Sequence, residues 1–173
     1  MLYDILKFWH VISFVFMSIP LFNLIVVNER ALFGSKFQYY ADRYMENIIK
    51  HGAPRCFVFQ FSVLLSGIFL LFIGPLGIES LWTNWIIFLK TILLIMLVGL
   101  LSYVHFKLQP RIEALIISIE PNSTPPENII EHLKPFRIRR KKLASFCLFI
   151  VLTIIVLGLQ VYSLFEPFLT LVL

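Results

Sequence analysis

Four apolar stretches, at about 5–28, 56–78, 82–105 and 143–169, take up most of this chain of 173 residues. A helix rises ~1.5 Å per residue, so roughly 20 apolar residues cover the hydrocarbon core of a bilayer. Each stretch reaches that length. The composition, 59% hydrophobic and only 14% charged, leaves too few polar residues to give soluble helices their solvated faces. The expected object is therefore all-α: one polytopic membrane four-helix bundle over 1–173, with amphipathic cytoplasmic helical extensions. The first stretch lacks a small-residue cleavage site and reads as a retained span, not a signal peptide.

The formal net charge of +5 is unevenly distributed. Arg30, Lys36, Arg43, Lys50 and Arg55 lie between the first two stretches. Lys107, Arg111, Lys134, Arg137, Arg139, Arg140, Lys141 and Lys142 lie between the last two. Basic loops stay cytoplasmic, so both termini are expected outward, and the basic excess also offers contacts to lipid headgroups. Nucleic acid is not an expected partner, because aromatic interleaving and a recognition fold are missing. Apolar residues recur at helical spacing from Ser35 to Lys50, which predicts an amphipathic helix extending the first span or lying on the membrane. A second amphipathic run continues past Pro110 to Glu120. Thr124 and Pro125 mark the start of a short helix to about Lys134.

Ionisable side chains are expensive at membrane depth, at least ~2.5 kcal/mol, and usually face a cavity, cofactor or partner. His10 in the first span and Lys90 in the third lie about five and six residues from the outer ends of two spans running the same way. Both are therefore expected roughly 7–9 Å deep, with Gln160 of the fourth span deeper. Ser13 and Met17 share the His10 face at offsets of three and seven residues. These residues can line one chamber in the outer half. Each also has a plainer reading: His10 and Gln160 as hydrogen bonds between helices, Met17 as core filler, Lys90 as a snorkelling cation. His105 lies some 20 Å deeper than His10 by helix rise, too far to share an iron with it. It can instead meet Cys56 and Cys147, which also lie near the cytoplasmic ends of their spans.

The opening Leu6-Lys7-Phe8-Trp9-His10-Val11-Ile12-Ser13, and Trp85-Ile86-Ile87-Phe88-Leu89-Lys90 leading to Tyr103-Val104-His105, resemble small bacterial four-span membrane proteins. The similarity is to the haem-dependent protoporphyrinogen oxidases and the copper-resistance D transmembrane domain, with Leu108-Gln109-Pro110-Arg111 closer to the latter. Phe16-Met17-Ser18-Ile19-Pro20 stands where a tryptophan–x–glycine–glycine element is common. Arg139-Arg140-Lys141-Lys142 stands where the oxidases carry asparagine–glutamate–proline.

The resemblance implies a bacterial inner-membrane location, haem b as cofactor and functional roles for His10 and Lys90. His10 would be the axial metal ligand, and Lys90 would pair a propionate or substrate carboxylate. The chain would then be a membrane oxidoreductase with a quinol or porphyrinogen donor. Copper handling through His10 and Met17 is the second reading. The third is a structural or assembly subunit, as a homo-oligomer or with a membrane partner.

Overall fold

A computed structural model describes the backbone of residues 1–33, 39–119 and 127–161, and the side chains of 1–26, 39–119 and 127–158. The described residues form helices and turns only. These are α1 (Leu2–Phe33), α2 (Tyr39–Ile73), a single turn α3 (Ser80–Thr83), α4 (Trp85–Tyr103), a π-helical turn (Val104–Leu108), α5 (Gln109–Ile117) and α6 (Glu127–Val161). α1 packs on α2 and α6, and α4 packs on the same two, so α1 and α4 face each other across the ring. Four of the helical segments are long and apolar enough to cross a bilayer. The chain is an integral membrane protein built as an all-α four-helix bundle.

The packing is that of a protein in lipid. Met17, Leu21, Cys56, Val63, Leu94, Leu97, Leu101, Cys147, Ile150 and Val151 fill the centre. Large apolar side chains such as Phe61, Phe72, Phe149 and Ile95 lie on the outside, where acyl chains and not water meet them. The buried positions on α4 and the turn after it, Leu94, Leu97, Leu101, Val104 and Leu108, follow steps of three and four residues.

The helix boundaries differ from the hydropathy in an instructive way. The amphipathic segment after the first span is neither its extension nor a separate surface helix. From Tyr39 onward it is the leading part of α2, which runs through Pro54 for 35 residues. The segment starting near Pro125 likewise does not end at Lys134; α6 carries on through Pro135 into the fourth span. A helix-interior proline removes one N–H and crowds the carbonyl four residues back, which kinks a helix or ends it. Here packing of the flanking turns outweighs that effect. Ile49 sits in a buried cluster with Leu24 and Ala144, and Leu133 in another with Leu108, Ile112 and Ile116.

A helix of 35 residues is ~52 Å long, so α2 and α6 project well beyond a hydrocarbon core of ~30 Å. At the opposite end α2 stops at Ile73, and the chain turns through Gly77 at φ 70°, a conformation open to glycine. The third span then starts at Trp85, after the α3 turn, and not at Trp82. Asn84 is extended there, and its side-chain oxygen accepts from the backbone N–H groups of Ile86 and Ile87 at 3.0 and 3.4 Å, an N-cap. The π-helical turn falls directly before Pro110. Proline cannot donate to the carbonyl of Phe106, and a wider turn relieves the clash its ring would cause there.

Candidate functional site

Two polar constellations interrupt the apolar packing, one at each end of the bundle. The first, at the end where α1 begins, is a seam between α1 and α2. His10 Nδ1 lies 2.9 Å from the Ser66 hydroxyl, and Ser66 Oγ donates to the carbonyl of Ser62 at 2.6 Å. Because that single hydroxyl proton is committed to a backbone carbonyl, Ser66 Oγ accepts from the imidazole. This arrangement suits the His10 tautomer that carries its proton on Nδ1, in which Nε2 is the lone pair. Gly67 makes the approach possible, since a Cβ there would come within 3.2 Å of His10 Cε1. The Nδ1–Cε1 edge of the ring thus faces α2. Next along the seam, Trp9 Nε1 donates to Ser62 Oγ at 2.9 Å, and the Ser13 and Ser62 hydroxyls are 3.0 Å apart.

The residues singled out from the sequence are distributed as follows. Lys90, half-buried on α4, lies within electrostatic reach of His10 and forms no ion pair or hydrogen bond among the described residues. Ser13 is buried, its hydroxyl turned to α2. Met17 is fully buried in the central apolar cluster, two turns from His10, and its carbonyl accepts from the Cys56 thiol at 3.6 Å. Gln160 is on α6, but its side chain lies outside the described residues.

No three His, Cys, Asp or Glu side chains gather as metal ligands among the described residues. The grouping of His105 with Cys56 and Cys147 does not form. Both thiols pack in the apolar centre, whereas the His105 ring stacks edge-on against Phe57 and Phe106, with its Nδ1 buried and unpartnered among the described residues.

The second constellation, at the basic end of the bundle, is one that hydropathy and charge counting miss. Glu46 of α2 receives both Arg140 nitrogens in a fork–fork pair, together with Gln109 Nε2 at 3.1 Å and Arg137 Nη2 at 3.2 Å. Gln109 Oε1 accepts from Arg140 Nη1 at 2.8 Å, and Arg137 also meets Asp42 at 2.7 Å. Arg140 has no exposed surface. This clamp ties α2, α5 and α6 together beyond the apolar stretches. Its signal was present as periodicity: Leu133, Arg137, Arg140, Ala144 and Cys147 form one buried stripe, two members of which are guanidinium groups.

Gln60, buried on α2, is a further missed residue. It is 2% exposed, with neither amide atom hydrogen-bonded among the described residues.

Against known proteins the chain finds no match: no family model, no curated protein and no solved structure is similar to it.

Proposed function

We propose that this protein binds haem b in the outer half of the bundle, where His10 would hold the iron through its Nε2 and Lys90 would pair a propionate or a substrate carboxylate. The observation that carries the reading is the contact of His10 Nδ1 with Ser66 Oγ, whose own proton is directed at the Ser62 carbonyl. Imidazoles that ligate a metal through one nitrogen usually donate the other N–H to an oriented acceptor, and Ser66 supplies that acceptor here. Lys90, a cation with no counter-charge among the described residues, favours an anionic group in the same region. Bound haem would supply one-electron chemistry, with a quinol or porphyrinogen as the donor. Trp9, Ser13 and Ser62 hold α1 against α2 and so position the imidazole.

The copper-handling alternative draws less support. Met17, its thioether candidate, has no exposed surface and is surrounded by apolar side chains. The asymmetry of basic residues supports an orientation with both termini outward in a bacterial inner membrane.

The test is an absorption spectrum of the detergent-solubilised protein titrated with haemin. A Soret band that shifts on reduction is expected, lost in His10→Ala and retained in His132→Ala. Ser66→Ala, which leaves the ligand but frees its tautomer, is expected to weaken haem affinity ~10- to 100-fold. Absence of the band, or an unchanged band in His10→Ala, overturns the haem reading. The seam would then be a helix clamp in a structural or assembly subunit.

A further inference from the structure

Exposed cations gather at one place on the lipid-facing surface of the basic end. On α6, Arg139, Lys142, Phe146 and Phe149 are all exposed and follow one another at steps of three, four and three residues, which is one stripe of a helix. The two cations come first, and the two aromatic rings follow toward the apolar part of the span. The Arg139 guanidinium is seated over the ring of Tyr103 on α4, 5.3 Å from its centroid, so the stripe borders the groove between α4 and α6. One turn beyond Tyr103, in the π-helical turn that also packs on α6, Lys107 adds a third exposed cation beside the exposed ring of Phe106. Arg139, Lys142 and Lys107 form no ion pair with a carboxylate among the described residues, unlike Arg137, Arg140 and Lys50.

We propose that this groove is a binding site for an anionic phospholipid. Its headgroup phosphate lies among Arg139, Lys142 and Lys107, and an acyl chain runs along Phe146 and Phe149. The dimensions match the occupant. From Arg139 to Phe149 is ten residues of helix, ~15 Å, which is one leaflet of a hydrocarbon core ~30 Å thick. Charge chooses the headgroup, because three unneutralised cations at the edge of the apolar zone favour an anionic lipid over a zwitterionic one. The aromatic continuation distinguishes a lipid from a soluble anion, which would gain nothing from Phe146 and Phe149. Cation–π seating over Tyr103 removes much of the rotamer freedom of Arg139 before the lipid arrives.

The experiment uses the full chain, equilibrated in bilayers of equal phosphatidylglycerol and phosphatidylcholine and released for native mass spectrometry. Retained phosphatidylglycerol is expected to exceed phosphatidylcholine. A surface cation contributes ~1 kcal/mol to anionic-lipid attraction, about fivefold, so the Arg139→Gln, Lys142→Gln double variant is expected to lose preference roughly 25-fold. Lys134→Gln, which removes an exposed cation outside the stripe, is expected to keep the preference, as is the charge-conserving Arg139→Lys, Lys142→Arg pair. Equal retention of the two lipids by the unaltered chain, or an undiminished preference in the double variant, overturns the proposal. Displacement of the lipid by millimolar inorganic phosphate would also overturn it, since the site would then belong to a soluble anion.

Discussion

Removing Glu46 is the most demanding test of the packing beyond the bilayer. Its side chain is 6% exposed and that of Arg140 is 0% exposed. Glu46→Ala therefore takes the bidentate carboxylate away from a fully buried guanidinium, which keeps the neutral Gln109 oxygen, while Arg137 retains Asp42. Breaking a buried pair from one side destabilises by ~3–5 kcal/mol. By comparison, the Lys50–Glu113 pair, 2.7 Å apart but 49% and 33% exposed, is worth about 0–1 kcal/mol.

The two buried free thiols provide the assay. Cys56 and Cys147 are shielded in the folded bundle, so a thiol-reactive fluorophore reports unfolding in detergent on heating. Glu46→Ala and Arg140→Ala are each expected to lower the midpoint by several times the shift of Lys50→Ala. In the double replacement Glu46→Leu with Arg140→Met no charge is stranded, and its loss is expected to fall well below the sum of the singles. Should Glu46→Ala melt within ~1 kcal/mol of Lys50→Ala, the clamp carries no more than a surface pair and the reasoning fails.

Gln60 offers a test of opposite sign. A buried amide without a partner is penalised by ~1–3 kcal/mol, so Gln60→Leu is expected to hold or raise the melting midpoint; a clear loss would show that the amide has a partner. The glycines give a matched pair. Gly67→Ala drives a methyl to 3.2 Å from His10 Cε1 and is expected to weaken both the α1–α2 seam and any haem signal. Gly99→Ala meets nothing within 4 Å and should stabilise α4 by up to ~1 kcal/mol. Melting curves of the two variants, recorded side by side, check this.

What the sequence showed is what hydropathy and period measure locally. The four spans, the all-α class and the inward face of α1 with His10, Ser13 and Met17 follow from such counting. Pairing across the chain does not. His10 meets Ser66, 56 residues away, and Arg140 meets Glu46, 94 residues away; no short-range pattern encodes either. Glu46 read as one more charge on the polar side of an amphipathic helix, and Arg140 as one of a run of topology-setting cations. Both sit in buried stripes at the spacing of their apolar neighbours, which is the signal that would have singled them out. Helix continuity through Pro54 and Pro135 was illegible for a related reason, because tertiary packing outside the local segment overrides the break that proline favours.

Apolar helices in lipid have little to distinguish one lateral pairing from another, so polar contacts set register. In this bundle they do so unequally. At the end that carries His10 hydrogen bonds join α1 to α2, and at the basic end they join α2, α5 and α6. The first turns of α4 form no hydrogen bond to another helix among the described residues; Thr91 bonds back to its own helix at Ile87, and Lys90 has no such bond. These turns rest on the α3 turn, with the Trp82 and Phe88 rings 6.0 Å apart, and Leu94 and Leu97 anchor the helix further along in the central cluster. The region between α1 and the first turns of α4 thus has the fewest polar ties between helices among the described residues, and His10 and Lys90 lie within electrostatic reach of each other there. A flat ligand entering there displaces apolar contacts but breaks no hydrogen bond between helices. The expected consequence is that amide exchange in the first two turns of α4 is faster than in α2 around Ser62 and Ser66, and slows when haemin is added. Exchange at equal rates in the two segments would mean that α4 is as firmly anchored as its neighbours, and that the bundle has no soft side for a cofactor to enter.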